Sequence, residues 1–387
     1  MTRAKIFSSS AVSLYAILLP SLWAGLSGPL SVRTVERQAD VVAVATIEDV
    51  AAETKATVRI RLRIASVIRG ETAPLVLTAE LTPSPMMSRY ALSPQDLVPR
   101  SIIGATGIWF LKERDGTFQV LPLATGDFTG NEMFLQLRST EVPPPDAVIP
   151  GLAESGDRIH QRLLAALMDS YLSTPSPAGS LRDIMAASLD GEDLQDSLAA
   201  ARVLIASSAA DHQILGLWTM LRLGADDALA LLAEKAPALQ SHRMFSFLGF
   251  VLSTQYMPNG EASIGPLRQL ASLHLGSADF DAAVASALRK IGTKAIVPAM
   301  VEFLDSQDPT AQLHAARFLS EYAMFADAEG NIPVLKPGEG RKFGPWRTDA
   351  ALEYSPSRDS PKTAQEYAAY WKSWWAANRA NLGFTIP

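Results

Sequence analysis

Residues 281–323 hold the pattern that most narrows the folds open to this chain. Val284, Ala287, Leu288 and Ile291 recur at i, i+3, i+4 and i+7, one apolar stripe of a 3.6-residue helix. Gly292 stops that helix where a left-handed residue fits without a Cβ clash. Thr293 is placed to cap a second helix, whose stripe is Ile296, Met300, Phe303 and Leu304. Asp308 and Pro309 supply a cap and a first-turn proline for a third, lined by Leu313, Ala316, Leu319 and Ala323. Helices this short cannot bury their apolar faces alone, so they must stack on one another.

The turn recurs. Residues 292–298 (GTKAIVP) match residues 260–266 (GEASIGP), 32 residues earlier, and residues 224–229 (GADDAL) are a weaker copy 36 residues before those. The glycine, the small-then-apolar pair and the proline inside the second helix resemble HEAT-type helical repeats over residues 194–323. That resemblance implies an α-solenoid, here expected over residues 155–326, with a terminal cap. The expected cap is an aromatic helix in residues 363–387, carrying Tyr367, Tyr370, Trp371, Trp374 and Trp375. Residues 327–362, rich in Gly and Pro, are expected as a loop before it.

Earlier in the chain the period changes to two. Val58, Ile60, Leu62 and Ile64 alternate with Arg59, Arg61 and Arg63, which predicts a half-buried strand. Leu75, Leu77, Ala79 and Leu81 predict a second, and the apolar run 41–47 a central strand. Residues 108–112 and 118–123 flank Asp115-Gly116, a hairpin turn signal. Five or six strands without a convincing helix predict a small barrel or sandwich over residues 32–140. Strand order, the Arg69-Gly70 turn and the segment 107–112 (GIWFLK) resemble the netrin/TIMP-like OB barrel of exported bacterial proteins. The protease-inhibiting members of that family place an N-terminal cysteine on the enzyme's zinc. No cysteine occurs here, so that activity does not carry over. The expected fold class is therefore multidomain β plus α: a small OB-like barrel followed by a HEAT-like α-solenoid. Pro143, Pro144, Pro145 and Pro150 mark residues 141–154 as a linker between them.

Residues 1–27 read as a signal peptide: Arg3 and Lys5 precede an apolar segment from 11 to 26. Cleavage after Ala24 or after Ser27 fits the small-residue rule, the alternative being an uncleaved anchor, in which case the chain meets the membrane. The expected location is exported, periplasmic or extracellular.

With no cysteine, disulfides, thiolate catalysis and cysteine-held zinc are excluded. No two of the five histidines lie within four residues of each other, and no metal or cofactor is expected. Nucleophile elbows, metalloprotease motifs and phosphate-cradling glycine loops are also missing from the sequence, so no catalytic residue is assigned. A net charge of −6 argues against nucleic acid, although Arg59, Arg61 and Arg63 form a basic stripe. The expected function is a non-enzymatic scaffold for a protein partner, with Trp346, Arg347, Tyr370 and Trp374 as candidate binding residues. The rival is an envelope enzyme or carbohydrate-binding protein with a site where barrel and helices meet.

Overall fold

The computed structural model describes residues 27–54, 57–71, 74–81, 102–126, 133–154, 156–174, 179–190, 193–273, 275, 278–328, 330, 342–356 and 362–384. Nearly all of the segment expected as a signal peptide, residues 1–26, lies outside them, as do His274 and residues 331–341. Among the described residues, no helix is long and apolar enough to cross a membrane. The chain forms two compact units, Met1–Thr219 and Met220–Pro387.

The first unit opens with β1 (Ser27–Pro29) and α1 (Val32–Gln38). Five strands follow: β2 (Val41–Thr54), β3 (Thr57–Arg69), β4 (Val76–Leu81), β5 (Thr106–Arg114) and β6 (Thr117–Val120). Their order is β2-β3-β4-β6-β5, and β5 pairs back with β2, which closes a five-stranded barrel. Only β4–β6 among these pairings is parallel. Short strands β7 (Ala124–Gly126) and β8 (Leu135–Gln136) pair with β1 and β5. The β5–β6 hairpin turns at Asp115 (φ 52°) and Gly116 (φ 76°), the left-handed pair that a two-residue hairpin requires.

Burial explains the two kinds of strand in the sequence. On β3, Val58, Ile60, Leu62 and Ile64 face the barrel interior while Arg59, Arg61 and Arg63 are exposed. On β2, Val41, Ala43, Ala45 and Ile47 also point inward, but Val42 and Val44 join a second apolar cluster outside the barrel. The strand is buried on both faces, so it shows no alternation. Trp109 and Phe134 stack inside the barrel at 4.6 Å, with Trp109 Nε1 donating to the Ala45 carbonyl at 3.3 Å.

The outer cluster is built from helices. After α2 (Pro145–Val148) come α3 (Arg158–Leu172), α4 (Gly179–Asp190), α5 (Leu194–Ala206) and α6 (Ala210–Leu223). Leu163, Leu164, Leu167, Ile184 and Leu204 share one buried cluster with Val42, Ile108 and Phe110 of the barrel. The proline-rich segment 141–154 lies within this unit and adds Ile149 and Leu152 to the cluster. Helix α1 departs from the helix-free reading of residues 32–140. Its seven residues are too few to show a helical period, yet Ser31 caps it and Val32 and Val35 reach the core.

The second unit contains α7 (Ala228–Leu239), α8 (Phe245–Thr254), α9 (Ile264–Ser272), α10 (Ala278–Ile291), α11 (Val297–Glu302), α12 (Pro309–Phe325), α13 (Asp349–Glu353) and α14 (Ala364–Asn378). Helices α8, α10, α12 and α14 pack in succession, while α9 packs on α7 and α10, and α11 on α12. Gly224, Gly260 and Gly292, the three recurring glycines, have φ of 70°, 52° and 70°. An added Cβ would meet nothing within 4 Å at any of them, so their requirement is conformational, not steric. Thr293 precedes a 3-10 turn, Lys294–Ile296, and not an α-helix; α11 begins at Val297 with Pro298 in its first turn. Asp308 Oδ1 caps α12 through the Thr310 amide at 2.8 Å, as its sequence predicts. Helix α13, capped by Thr348, interrupts the segment expected as a loop.

Candidate functional site

Helix α8 differs from its neighbours in composition. Residues 244–260 contain no Asp, Glu, Lys or Arg. Phe245, Leu248, Val251 and Leu252 fill its buried side, but Phe247 and Phe250 remain 49% and 47% exposed, and Met257 just beyond is 72% exposed. Beside Phe250 runs a groove of about 270 Å³ between α8, α10 and α12. Small side chains shape it: Ser246, Gly249 and Ser253 from α8, and Ala282 and Ala283 from α10. His314 of α12 also lines it.

Burial holds the His314 imidazole below its ordinary pKa, and the guanidinium groups of Arg289 and Arg317 push the same way against Asp308. It is therefore neutral at pH 7. Two hydroxyls at the end of this helix are turned onto its own backbone: Ser253 Oγ and Thr254 Oγ1 both donate to the Phe250 carbonyl, at 3.0 and 2.6 Å. Lys290 Nζ donates to the carbonyls of Tyr256 at 2.8 Å and Leu252 at 3.4 Å, which satisfies the C-terminal end of α8. Burial lowers the pKa of that ammonium. The groove thus offers aromatic rings, small apolar side chains and one neutral imidazole. That set suits an apolar body, and among the described lining residues none carries a charge at neutral pH.

The residues named from sequence fall into separate places. Trp346 is half-buried, its Nε1 donating to the Asp327 carbonyl at 3.4 Å. Arg347 lies 3.8 Å over the Phe343 ring, which stacks on Phe325 at 5.6 Å. Tyr370 belongs to a different cluster, stacked on Tyr354 at 4.0 Å. Trp374 is 8% exposed and packs against Trp371, so it serves the core. Trp371 itself is fully buried and donates to the Tyr354 carbonyl at 2.9 Å. Helix α14 packs on α12. Its start is a capping box between Thr363 and Glu366.

Other sequence candidates resolve into structural pairs. The basic stripe is matched by acids: Arg59 pairs with Glu80, and Arg61 and Arg63 with Glu48. His160 Nδ1 lies 3.0 Å from Glu36 Oε2, and His242 Nδ1 accepts from the Met244 amide at 3.3 Å. Among the described residues, no group of three or more His, Asp or Glu side chains could hold a metal. His212 sits between Ser207 Oγ at 2.8 Å and the Thr174 carbonyl at 2.9 Å, a serine–imidazole contact that invites a catalytic reading. Yet Ser207 Oγ also accepts from the Ala209 amide, and Gln213 Nε2 donates to the Ser207 carbonyl. The same clamp recurs 99 residues later, where Ser306 Oγ accepts from Asp308 and Gln312 donates to the Ser306 carbonyl, without a histidine. The serine therefore organises a helix start.

No protein-family model matches the chain, and neither a curated protein nor a solved structure does. The α8 face was legible in one respect. Phe245 and Phe247 stand about 200° apart on a helical wheel, so one stripe cannot hold both.

Proposed function

We propose that the chain is an exported, non-enzymatic interaction protein of the cell envelope, and that its α8–α10–α12 face holds an apolar segment of a partner protein. The observation that carries this reading is the uncharged helix α8, with Phe247 and Phe250 each about half exposed beside the groove. We take the helical half as a HEAT-type solenoid. Contacts between successive helix pairs recur at a near-constant interval: Arg268–Glu302 spans 34 residues and Ser286–Ser253 spans 33. The barrel is of OB type on its strand order and its single parallel pairing. Its interior is packed with side chains around Trp109 and Phe134, so the barrel serves as a platform.

A phenylalanine-derived photo-crosslinker at position 250 tests the reading in intact envelopes. We expect a discrete adduct with another protein, lost on Phe247→Ser, and no such adduct from the exposed position Leu352. Each ring leaves about 100 Å² to bury, worth up to ~2.5 kcal/mol at ~25 cal/mol per Å². With imperfect burial, each Phe→Ser change should weaken the partner about 10-fold. The same adducts from positions 250 and 352, or adducts of the chain with itself alone, would overturn the proposal.

A further inference from the structure

A second cavity lies in the first unit, apart from the helical groove. It has a volume of about 510 Å³ and opens between the β8 region and helices α3 and α4. That size falls within the ~300–1,000 Å³ range of small-molecule sites. Its chemistry is divided. Leu135 and Leu137 on one side, and Leu181 and Ile184 of α4 on the other, form apolar walls. Ser170, Ser173, Thr174 and Ser180 supply hydroxyls.

Among the described residues of this lining, Arg138 is the one charged group and no carboxylate accompanies it. Among the described residues it forms no ion pair. Ser170 Oγ and Ser180 Oγ are likewise uncommitted among the described residues. By contrast, Ser173 Oγ donates to the Ser170 carbonyl at 2.7 Å, and the Thr174 carbonyl is held by His212. A free guanidinium beside free hydroxyls recognises an oxyanion, and the leucine-lined walls recognise hydrocarbon.

We infer that this cavity binds a small amphiphile with a carboxylate head and an apolar tail. The head pairs with Arg138 and takes hydrogen bonds from Ser170 and Ser180, while the tail lies between Leu135, Leu181 and Ile184. This inference is independent of the partner surface on α8, and each can fail without the other.

Octanoate, acetate and 1-octanol, titrated separately into the full chain by calorimetry, test it. Octanoate should bind saturably at one site, with acetate and octanol each at least about 10-fold weaker because each lacks one half of the match. Arg138→Gln should weaken octanoate about 10-fold and leave octanol unchanged. Arg138 is exposed, so this variant keeps its fold, which melting curves verify. Ile184→Trp, which fills the cavity, should remove binding of all three. Non-saturable octanoate uptake, or equal affinity in the wild type and Arg138→Gln, would overturn the inference. Binding that survives in Ile184→Trp with an unchanged melting temperature would place the ligand elsewhere and overturn it equally.

Discussion

Glu36 ties together three elements of the first unit. It sits on α1, buried, with His160 of α3 on one carboxylate oxygen at 3.0 Å and Arg69 of β3 near the other at 3.4 Å. Three elements far apart in sequence therefore meet at one carboxylate. His160 is 2% exposed, whereas the Arg69 side chain is 37% exposed and also donates to the Glu36 backbone carbonyl at 2.8 Å. On Glu36→Ala, Arg69 keeps that backbone bond and reaches water. His160 is not solvated in this way: its Nδ1 loses its carboxylate inside the core. Stranding a buried polar group costs ~1–3 kcal/mol, and breaking a buried charge pair ~3–5 kcal/mol. With one partner partly solvated, about 3 kcal/mol is expected. For a unit near 200 residues this is a fall of roughly 6–12 °C in melting temperature. Urea titration of Glu36→Ala, His160→Ala and the double variant measures it. The double variant should cost less than the sum of the singles by ~0.5–3 kcal/mol. A Glu36→Ala cost under ~1 kcal/mol, or strict additivity, would refute the argument that this pair ties α1 to α3.

Two further outcomes follow from geometry. Gly107→Ala would place a Cβ against the Phe134 ring and 2.6 Å from the Leu135 carbonyl. Since the latter belongs to a paired strand, the barrel should lose ~1–3 kcal/mol in urea denaturation, and a neutral result would mean that β8 is not seated as described. His314 has a folded pKa below its unfolded value of 6.5, so the unfolded chain binds more protons between the two values. Its stabilising contribution is complete above pH 6.5 and is lost as pH falls through the folded value. The stability of His314→Gln should therefore fall less than that of the wild type below pH 6.5, and parallel curves would contradict this.

Much of the architecture was legible where burial is one-sided. β3 alternates strictly because one face is solvent and the other is barrel core. The apolar run of residues 41–47 marked β2 as a central strand, but not what covers its outer face: Val42 and Val44 meet helices from residues 158–206, partners that no local pattern names. The same distance hid Glu36 and His160, which are 124 residues apart. In α14 the aromatic content was plain, but the sorting was not. Five large rings surround a helix of 15 residues, and the spacing alone does not say that Trp371 and Trp374 go inward while Tyr370 finds Tyr354 at the surface.

Recurrence within the chain separates structure from candidate function. The Ser–Gln clamp at Ser207 and Gln213 returns at Ser306 and Gln312, so the histidine beside the first copy is an addition to a structural device and not its purpose. The left-handed glycines at 224, 260 and 292 return in the same way and mark turns. Helix α8 has no such counterpart. Unlike α8, its successors carry charged side chains: Arg289 and Lys290 in the last turn of α10, and Arg317 on α12. Packing with the next helix does not require Phe247 and Phe250 to be bare, since among the described residues α10 and α12 pack in succession without an exposed large hydrophobic side chain. The cost of leaving two rings in water is therefore not imposed by the stack, and that is the ground for proposing a partner surface there.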